Sequence, residues 1–403
     1  MEQYTFTPGL KKVIYTLIGI GIVAFIAGLM GVFGADGEEA HHVASTRLWS
    51  NILINGFFFF GIALIAVFFI AVQYAAEAGW AVVFKRVFEA IAEYLPIGAA
   101  FLVIVWLAGS FHLNHLYHWM DPEAVAHDPI LQHKTPYLNL PFFWIRALVF
   151  LGVYIWFAKV MRKRSLMEDE MPDDKGWFLK NQRSSAMFLV FFGFTSTVAA
   201  WDWLMSIDTH WFSTLYGWYV FSGMWISFIT AATLIVVYLK SQGYLQFVTK
   251  YHLQDMGKWM FAVSFLWTYL WFSQYMLIWY ADIPEEVTYF IPRIEDYTVG
   301  YWMMVIGNFI FPMLLLMDKD NKRSQALLAL TGIIIFIFHW LDAYFLITPG
   351  TMRNHGHLGF VEIGLFLGFL GLFMLVVFNA LTKAPLLVKH HAYLDESLHL
   401  EQN

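Results

Sequence analysis

The sequence predicts an all-α polytopic membrane protein, with ten transmembrane helices arranged as two four-helix bundles and two flanking helices. Three observations predict it. The chain is 59% hydrophobic and only 13% charged, against about 45–50% and about 25% for a soluble domain. Ten apolar runs approach the roughly 20 residues that a helix needs to cross the hydrocarbon layer. Lysine and arginine fall mostly on alternate connecting segments, as they do in polytopic proteins.

The runs are 13–34, 48–76, 93–113, 140–160, 185–206, 216–239, 259–281, 298–317, 325–347 and 358–381. Each must satisfy its own backbone in lipid, so each is read as a helix. The first follows Lys11 and Lys12 and is about 21 residues long, beyond the roughly 7–15 residues of a signal-peptide core, so it is read as a span. Aromatic residues make up 19% of the chain, with 18 Trp and 40 Phe. Trp and Tyr favour membrane–water interfaces, which suits many helix ends. All 403 residues are read as one integral membrane domain.

Of the 24 Lys and Arg, 19 lie in the N-terminal segment, in loops 79–92, 159–184, 240–258 and 317–324, and in the tail 383–403. The other five are Arg47, Lys134, Arg146, Arg293 and Arg353. The positive-inside rule then places both termini in the cytoplasm, consistent with an even number of spans. The far side carries ten histidines, including His112, His115, His118 and His210.

Residues 181–202 and 321–342 align without gaps at an offset of 140. Asn181, Arg183, Ser184, Ala186 and Asp202 match Asn321, Arg323, Ser324, Ala326 and Asp342. The echo relates spans five and nine. It predicts one bundle of spans two to five (about 48–206) and another of spans six to nine (about 216–347), a parallel repeat of a type membrane folds use. The flanking helices are 13–34 and 358–381. Both aspartates lie 18 residues past the matched serine, about 27 Å along a helix, in the far half of the bilayer.

Charged groups inside spans are costly and face the protein interior or water. The candidates are Arg146, Asp202, Asp342 and Glu362, with His339 and Gln274. Two readings overlap: internal ion pairing, with Arg146 neutralising Asp202, and a proton relay or quinol site. His339 and Asp342 share a helix face at i, i+3. Trp267, Trp271 and Gln274 share one by i, i+4, i+7 spacing, either as packing or as a quinone-type pocket wall. His112 sits at the far end of span three. Only His339 is deep, so opposed haem ligands are not expected. Cysteine is absent, which excludes cysteine-ligated iron–sulfur clusters and c-type haem attachment within this chain.

Three segments carry a resemblance: DWLMSIDTHWFSTLYGWYVFSGM (202–224), LWFSQYMLIWYADIPEE (270–286) and GNFIFPMLLLMDKDNKRS (307–324). They resemble motifs of the membrane subunits of bacterial alternative complex III, a quinol:cytochrome c oxidoreductase, within the NrfD or polysulfide-reductase-like membrane family. The short tail is similar to the ActF-type subunit rather than its ActC-like sister. The family pattern often has Glu-Pro where this chain has Asp208-Thr209.

The resemblance implies a bacterial inner-membrane location and no redox cofactor in this chain. Haem and iron–sulfur clusters would sit in c-type cytochrome and iron–sulfur partner subunits, and the better-supported quinol site in the sister. Quinone, menaquinone and lipids are its expected ligands, and nucleic acid is not a partner. The chain is not expected to be catalytic alone. It implies a proton-conducting and structural role, with Asp202, Asp208, His210, Gln274, Asp342 and Glu362 carried over as candidates. Asp202, Gln274 and Asp342 are expected to line one far-side cavity.

Two other classes remain open. A secondary transporter would break its helices around a midplane site, whereas Pro96, Pro141, Pro284 and Pro312 are read near span ends. A purely structural anchor would leave every buried charge paired.

Overall fold

A computed structural model describes residues 3–171 and 176–401. The chain ends, which the sequence places in the cytoplasm, lie outside the described residues. Ten helices are long and apolar enough to cross a membrane, and no strand occurs among the described residues. Spans one to ten are Pro8–Phe33, Glu38–Ala75, Val82–Ser110, Leu140–Glu170, Gly176–Ile207, Tyr216–Ser241, Lys250–Ala281, Thr298–Leu316, Gln325–His355 and Phe360–Leu381.

Local chemistry sets the helix starts. Thr7, Asn139, Thr249 and Ser324 each accept a backbone N–H in the first turn of spans one, four, seven and nine, satisfying donors a helix start leaves free. Span seven stops where Asp282 turns left-handed (φ 48°) ahead of Pro284. Pro284 then opens a short helix, Pro284–Val287, with Glu285 and Glu286 in its first turn. The acids that end the apolar run therefore belong to a second helix start.

Several boundaries differ from the sequence reading. Span two begins at Glu38 rather than 48 and runs for 38 residues. At 1.5 Å per residue it is about 57 Å long, so its first turns project beyond a roughly 30 Å hydrocarbon layer. Span three is not one rod from 93. A single 3-10 turn (Val82–Phe84) and a helix (Lys85–Ala92) precede a break at Glu93–Tyr94, and Leu95–Ser110 follows.

Pro312 lies inside span eight, after a π turn at Ile306–Ile310. Proline has no N–H to donate to the carbonyl four residues back, which loosens that turn. The Asn308 side chain donates to the Phe338 carbonyl of span nine (3.1 Å).

The helices pack as two bundles. Span two packs on spans three and five, and span four on span five; span six packs on seven and nine, and span eight on seven and nine. Span two is almost wholly buried and also reaches spans six, nine and ten, so it joins the bundles. Spans one and ten form a separate pair. They meet through glycine: a Cβ on Gly368 would lie 2.5 Å from the Gly21 Cα. Gly364 and Gly368 form a G-x-x-x-G face, which lets membrane helices approach closely enough for dispersion contacts.

Arg47 lies at the end of span two away from Lys11, Lys240 and Lys383; that end is called here the histidine face and the other the basic face.

Candidate functional site

The centre of the site is Asp342 on span nine. Span six supplies the Tyr219 hydroxyl, which donates to Oδ1. Span seven supplies Trp267 Nε1, which donates to Oδ2 at 3.0 Å. Gly223 allows span six this close, since a Cβ there would be 3.3 Å from Oδ2. His339 Nδ1 lies 3.7 Å from Oδ2, within ion-pair range but too long for a hydrogen bond. Its ring stands edge-on to Trp267, with centroids 5.1 Å apart. Among the described residues, no lysine or arginine lies within 4 Å of the Asp342 carboxylate. Its charge is therefore not fixed by a permanent cation.

Asp342 lines two small cavities. One, of about 10 Å³, is also lined by Tyr219, Trp271, Gln274, Arg293 and Tyr301. The other, of about 20 Å³, adds His339, Ser227 and Phe58. Spaces of this size hold about one water, given polar partners. Gln274 Nε2 and both ring nitrogens of His339 are buried without a partner among the described residues, so they are the polar atoms such a water would meet. The i, i+4, i+7 reading of span seven thus brings Trp271 and Gln274 to one cavity. That space is too small for a quinone ring, and Trp271 Nε1 is already committed to the Tyr301 hydroxyl at 2.9 Å. The pocket-wall reading of Trp267 and Trp271 is corrected accordingly: their indole N–H groups hold Asp342 and Tyr301.

Arg293 forms the outer wall, and sequence reasoning did not single it out. It is 2% exposed, with its guanidinium 3.4 Å from the Tyr289 ring centroid. It donates to the carbonyls of Phe345 (3.0 Å) and Tyr289 (2.5 Å). The Phe345 carbonyl is available because Pro349, four residues on and inside the helix, has no N–H to give it. That proline was the available signal for a donor at this level. Arg293 Nη2 is 3.6 Å from Asp208 Oδ2, and the Asp208 side chain is 28% exposed. Gly350 leaves room for it: a Cβ there would fall 2.7 Å from Asp208 Oδ1. Asp342, the Gln274 cavity, Arg293 and Asp208 are thus arrayed from the buried core toward the surface of the histidine face.

Asp202 stands elsewhere. Its Oδ2 accepts from Arg146 Nε at 2.6 Å. The guanidinium lies against Tyr137 and Phe142, 4.0 and 4.2 Å from their ring centroids. This bears out the neighbour pairing of spans four and five and corrects the expectation of one shared cavity. Gln274 and Asp342 line it; Asp202 does not. The two aspartates match in sequence position but face different helices.

Glu362 is also fully engaged. It takes Arg47 on both oxygens at 2.7 Å, accepts from Asn51 at 3.0 Å and caps its own helix at the Gly359 N–H. His112 is exposed in left-handed backbone (φ 57°) and lines neither cavity. His210 is exposed and sits 2.5 Å from Asp128. His42 and His115 stack at 5.6 Å. Among the described residues no group of three His, Asp or Glu is placed to hold a metal.

Toward the basic face lies a second polar cluster, whose cations come from the segments 79–92 and 159–184. Arg86 pairs with Glu89 (2.7 Å) and Asp169, Arg162 with Glu89 (2.5 Å), and Lys85 with Glu168 (3.3 Å). Lys85, Arg86 and Glu89 are buried because the broken start of span three folds into the bundle instead of crossing water. Three cations meet three anions, so the network is closed.

No protein-family model and no curated protein matches the chain.

Proposed function

We propose that this chain is an integral membrane subunit of a respiratory quinol:electron-acceptor oxidoreductase, similar to the ActF-type subunit of alternative complex III, and that it conducts protons toward the histidine face. In this reading the basic face is cytoplasmic, the membrane is the bacterial inner membrane, and redox centres and the quinol site belong to partner subunits. The three motif segments support the family reading. The observation that carries the proton reading is Asp342: a buried carboxylate held by two neutral donors, between two water-sized cavities. Intramembrane acids with histidine neighbours are the usual parts of proton relays.

Each residue then has a role. His339 and Asp342 exchange the proton across the inner cavity. Gln274 and the Tyr301 hydroxyl orient water in the outer one. Arg293 keeps its proton throughout; it supplies the positive charge faced by an ionised Asp342 or Asp208. Asp208 delivers the proton to the surface. Arg146–Asp202, Arg47–Glu362 and the Arg86–Glu89–Asp169 network are closed pairs, and their observed geometry favours a structural anchor role for those groups.

The test compares Asp342→Asn and Asp202→Asn in the intact assembly, reading electron transfer from quinol and proton release separately. Asp342→Asn is expected to lose proton release or turnover while the assembly stays intact. Normal values for Asp342→Asn would remove the relay, whatever Asp202→Asn shows. Purification without co-purifying cytochrome absorbance would remove the family reading.

A further inference from the structure

A further cavity is much larger than the two beside Asp342 and is not lined by it. It is a groove of about 400 Å³ between the span one–ten pair and spans six and nine. Its wall includes Leu234, Phe336, Phe366, Leu370 and Phe378, and Tyr238 is the one lining residue with a hydroxyl. From Phe366 to Phe378 is twelve residues, about 18 Å along span ten. Half of a roughly 30 Å hydrocarbon layer is about 15 Å. The groove is therefore one leaflet deep, and it runs from mid-membrane to the basic face.

Its mouth differs from its wall. Phe378 contacts Phe6, Tyr4 and Tyr238, with ring centroids 6.3, 5.7 and 5.4 Å apart. Lys11 Nζ stands 5.3 Å from the centroid of the Phe6 ring. Lys11 is exposed, and Lys383 is exposed just past the same end of span ten. An apolar trough one leaflet deep, with aromatic rings and ammonium groups at its mouth, matches an acyl chain below an anionic phosphate. A quinone ring would need donors for its carbonyls along the wall, and the wall offers only Tyr238.

We propose that this groove is a specific site for one anionic phospholipid of the leaflet on the basic face, with an acyl chain in the trough and its phosphate at Lys11. The lipid would complete the packing between the flanking pair and the second bundle, which meet imperfectly there.

The full-length chain is offered equal amounts of phosphatidylglycerol and phosphatidylcholine, and bound lipid is counted by native mass spectrometry. The wild type is expected to retain one phosphatidylglycerol in preference. A cation beside the phosphate contributes about 1 kcal/mol, so Lys11→Glu should erase a preference of roughly fivefold while leaving a chain bound. Leu234→Trp with Leu370→Trp should fill the trough and expel both lipids. Phe194→Trp, at a 75% exposed position elsewhere, should change nothing. Equal retention of the two lipids by wild type and Lys11→Glu would overturn the proposal. So would a quinone recovered in place of phospholipid, or undiminished lipid in the double tryptophan variant of a chain that remains folded.

Discussion

Tyr219 donates its hydroxyl to Asp342 Oδ1 across the contact of spans six and nine. This bond and the one from Trp267 are the only ones the carboxylate has from the described residues. Removing the hydroxyl leaves one oxygen without its donor. Tyr219→Phe is expected to keep the fold, since the ring stays packed on Trp267 at 5.8 Å. A hydrogen bond to a charged group is worth about 1.5–3 kcal/mol, roughly a ten- to hundredfold factor in an equilibrium. Proton release by the intact assembly should therefore change in rate by up to about that factor. An unchanged rate would remove Asp342 from the proton path.

Arg146 and Asp202 form a buried pair, and breaking one side leaves the other charge stranded. Arg146→Met should destabilise the protein by about 3–5 kcal/mol. Adding Asp202→Leu should recover most of it, because an apolar pair of similar volume is often neutral. Thermal unfolding of both variants in one detergent measures this. A single variant as stable as the wild type would mean that the pair does not anchor spans four and five.

Gly350 lets the Asp208 carboxylate approach Arg293. Gly350→Val would place a side chain where that carboxylate now lies, with the Cβ alone 2.7 Å from Oδ1. Crowding of this kind costs about 1–3 kcal/mol. Proton release should slow with little change in assembly. Equal release rates would exclude Asp208 as the terminal group.

Gly368→Leu should separate spans one and ten, because its Cβ would lie 2.5 Å from the Gly21 backbone. Cross-linking between cysteines introduced at the two helix surfaces should fall. Full cross-linking would show that the pair tolerates a wider spacing.

The tail docks on the basic face through a buried histidine. His391 packs on Tyr74 and Phe178, with ring centroids 5.4 and 5.6 Å apart. Burial, together with the nearby Lys85 and Arg86 charges, pushes its pKa down to about 2. A released tail would titrate near 6.5. The released state therefore binds more protons below about pH 6.5, and docking weakens as pH falls from there toward about 2. At pH 5 the loss is about 2 kcal/mol. Limited proteolysis after Lys389 should be faster at pH 5 than at pH 8, and His391→Phe should flatten that difference. A pH-independent wild-type rate would contradict the burial of a neutral ring.

Much of the architecture was legible in the chain. Span number and the alternation of charge follow from local requirements: hydrocarbon thickness sets run length, and each helix satisfies its own backbone. The 18-residue spacing from serine to aspartate places Asp202 and Asp342 at matched positions along spans five and nine. The spacing of Trp271 and Gln274 correctly put them on one face.

Lateral neighbours decided the rest. Asp202 meets a guanidinium from span four, whereas Asp342 meets a hydroxyl and an indole from spans six and seven, although the two acids occupy matched positions. Lys85 and Arg86 read as markers of a watery loop, yet folding buries them against acids from span four. Arg293 read as an outer-loop charge, yet Pro349 on another helix leaves the Phe345 carbonyl free to accept from it. The sequence by itself determined how many helices cross and which residues share a level, because rise and hydrophobic length act within one segment. Only the tertiary structure decided which carboxylate meets a guanidinium and which meets only neutral donors. That depends on the side chains that neighbouring helices present, and no spacing within a single helix encodes it.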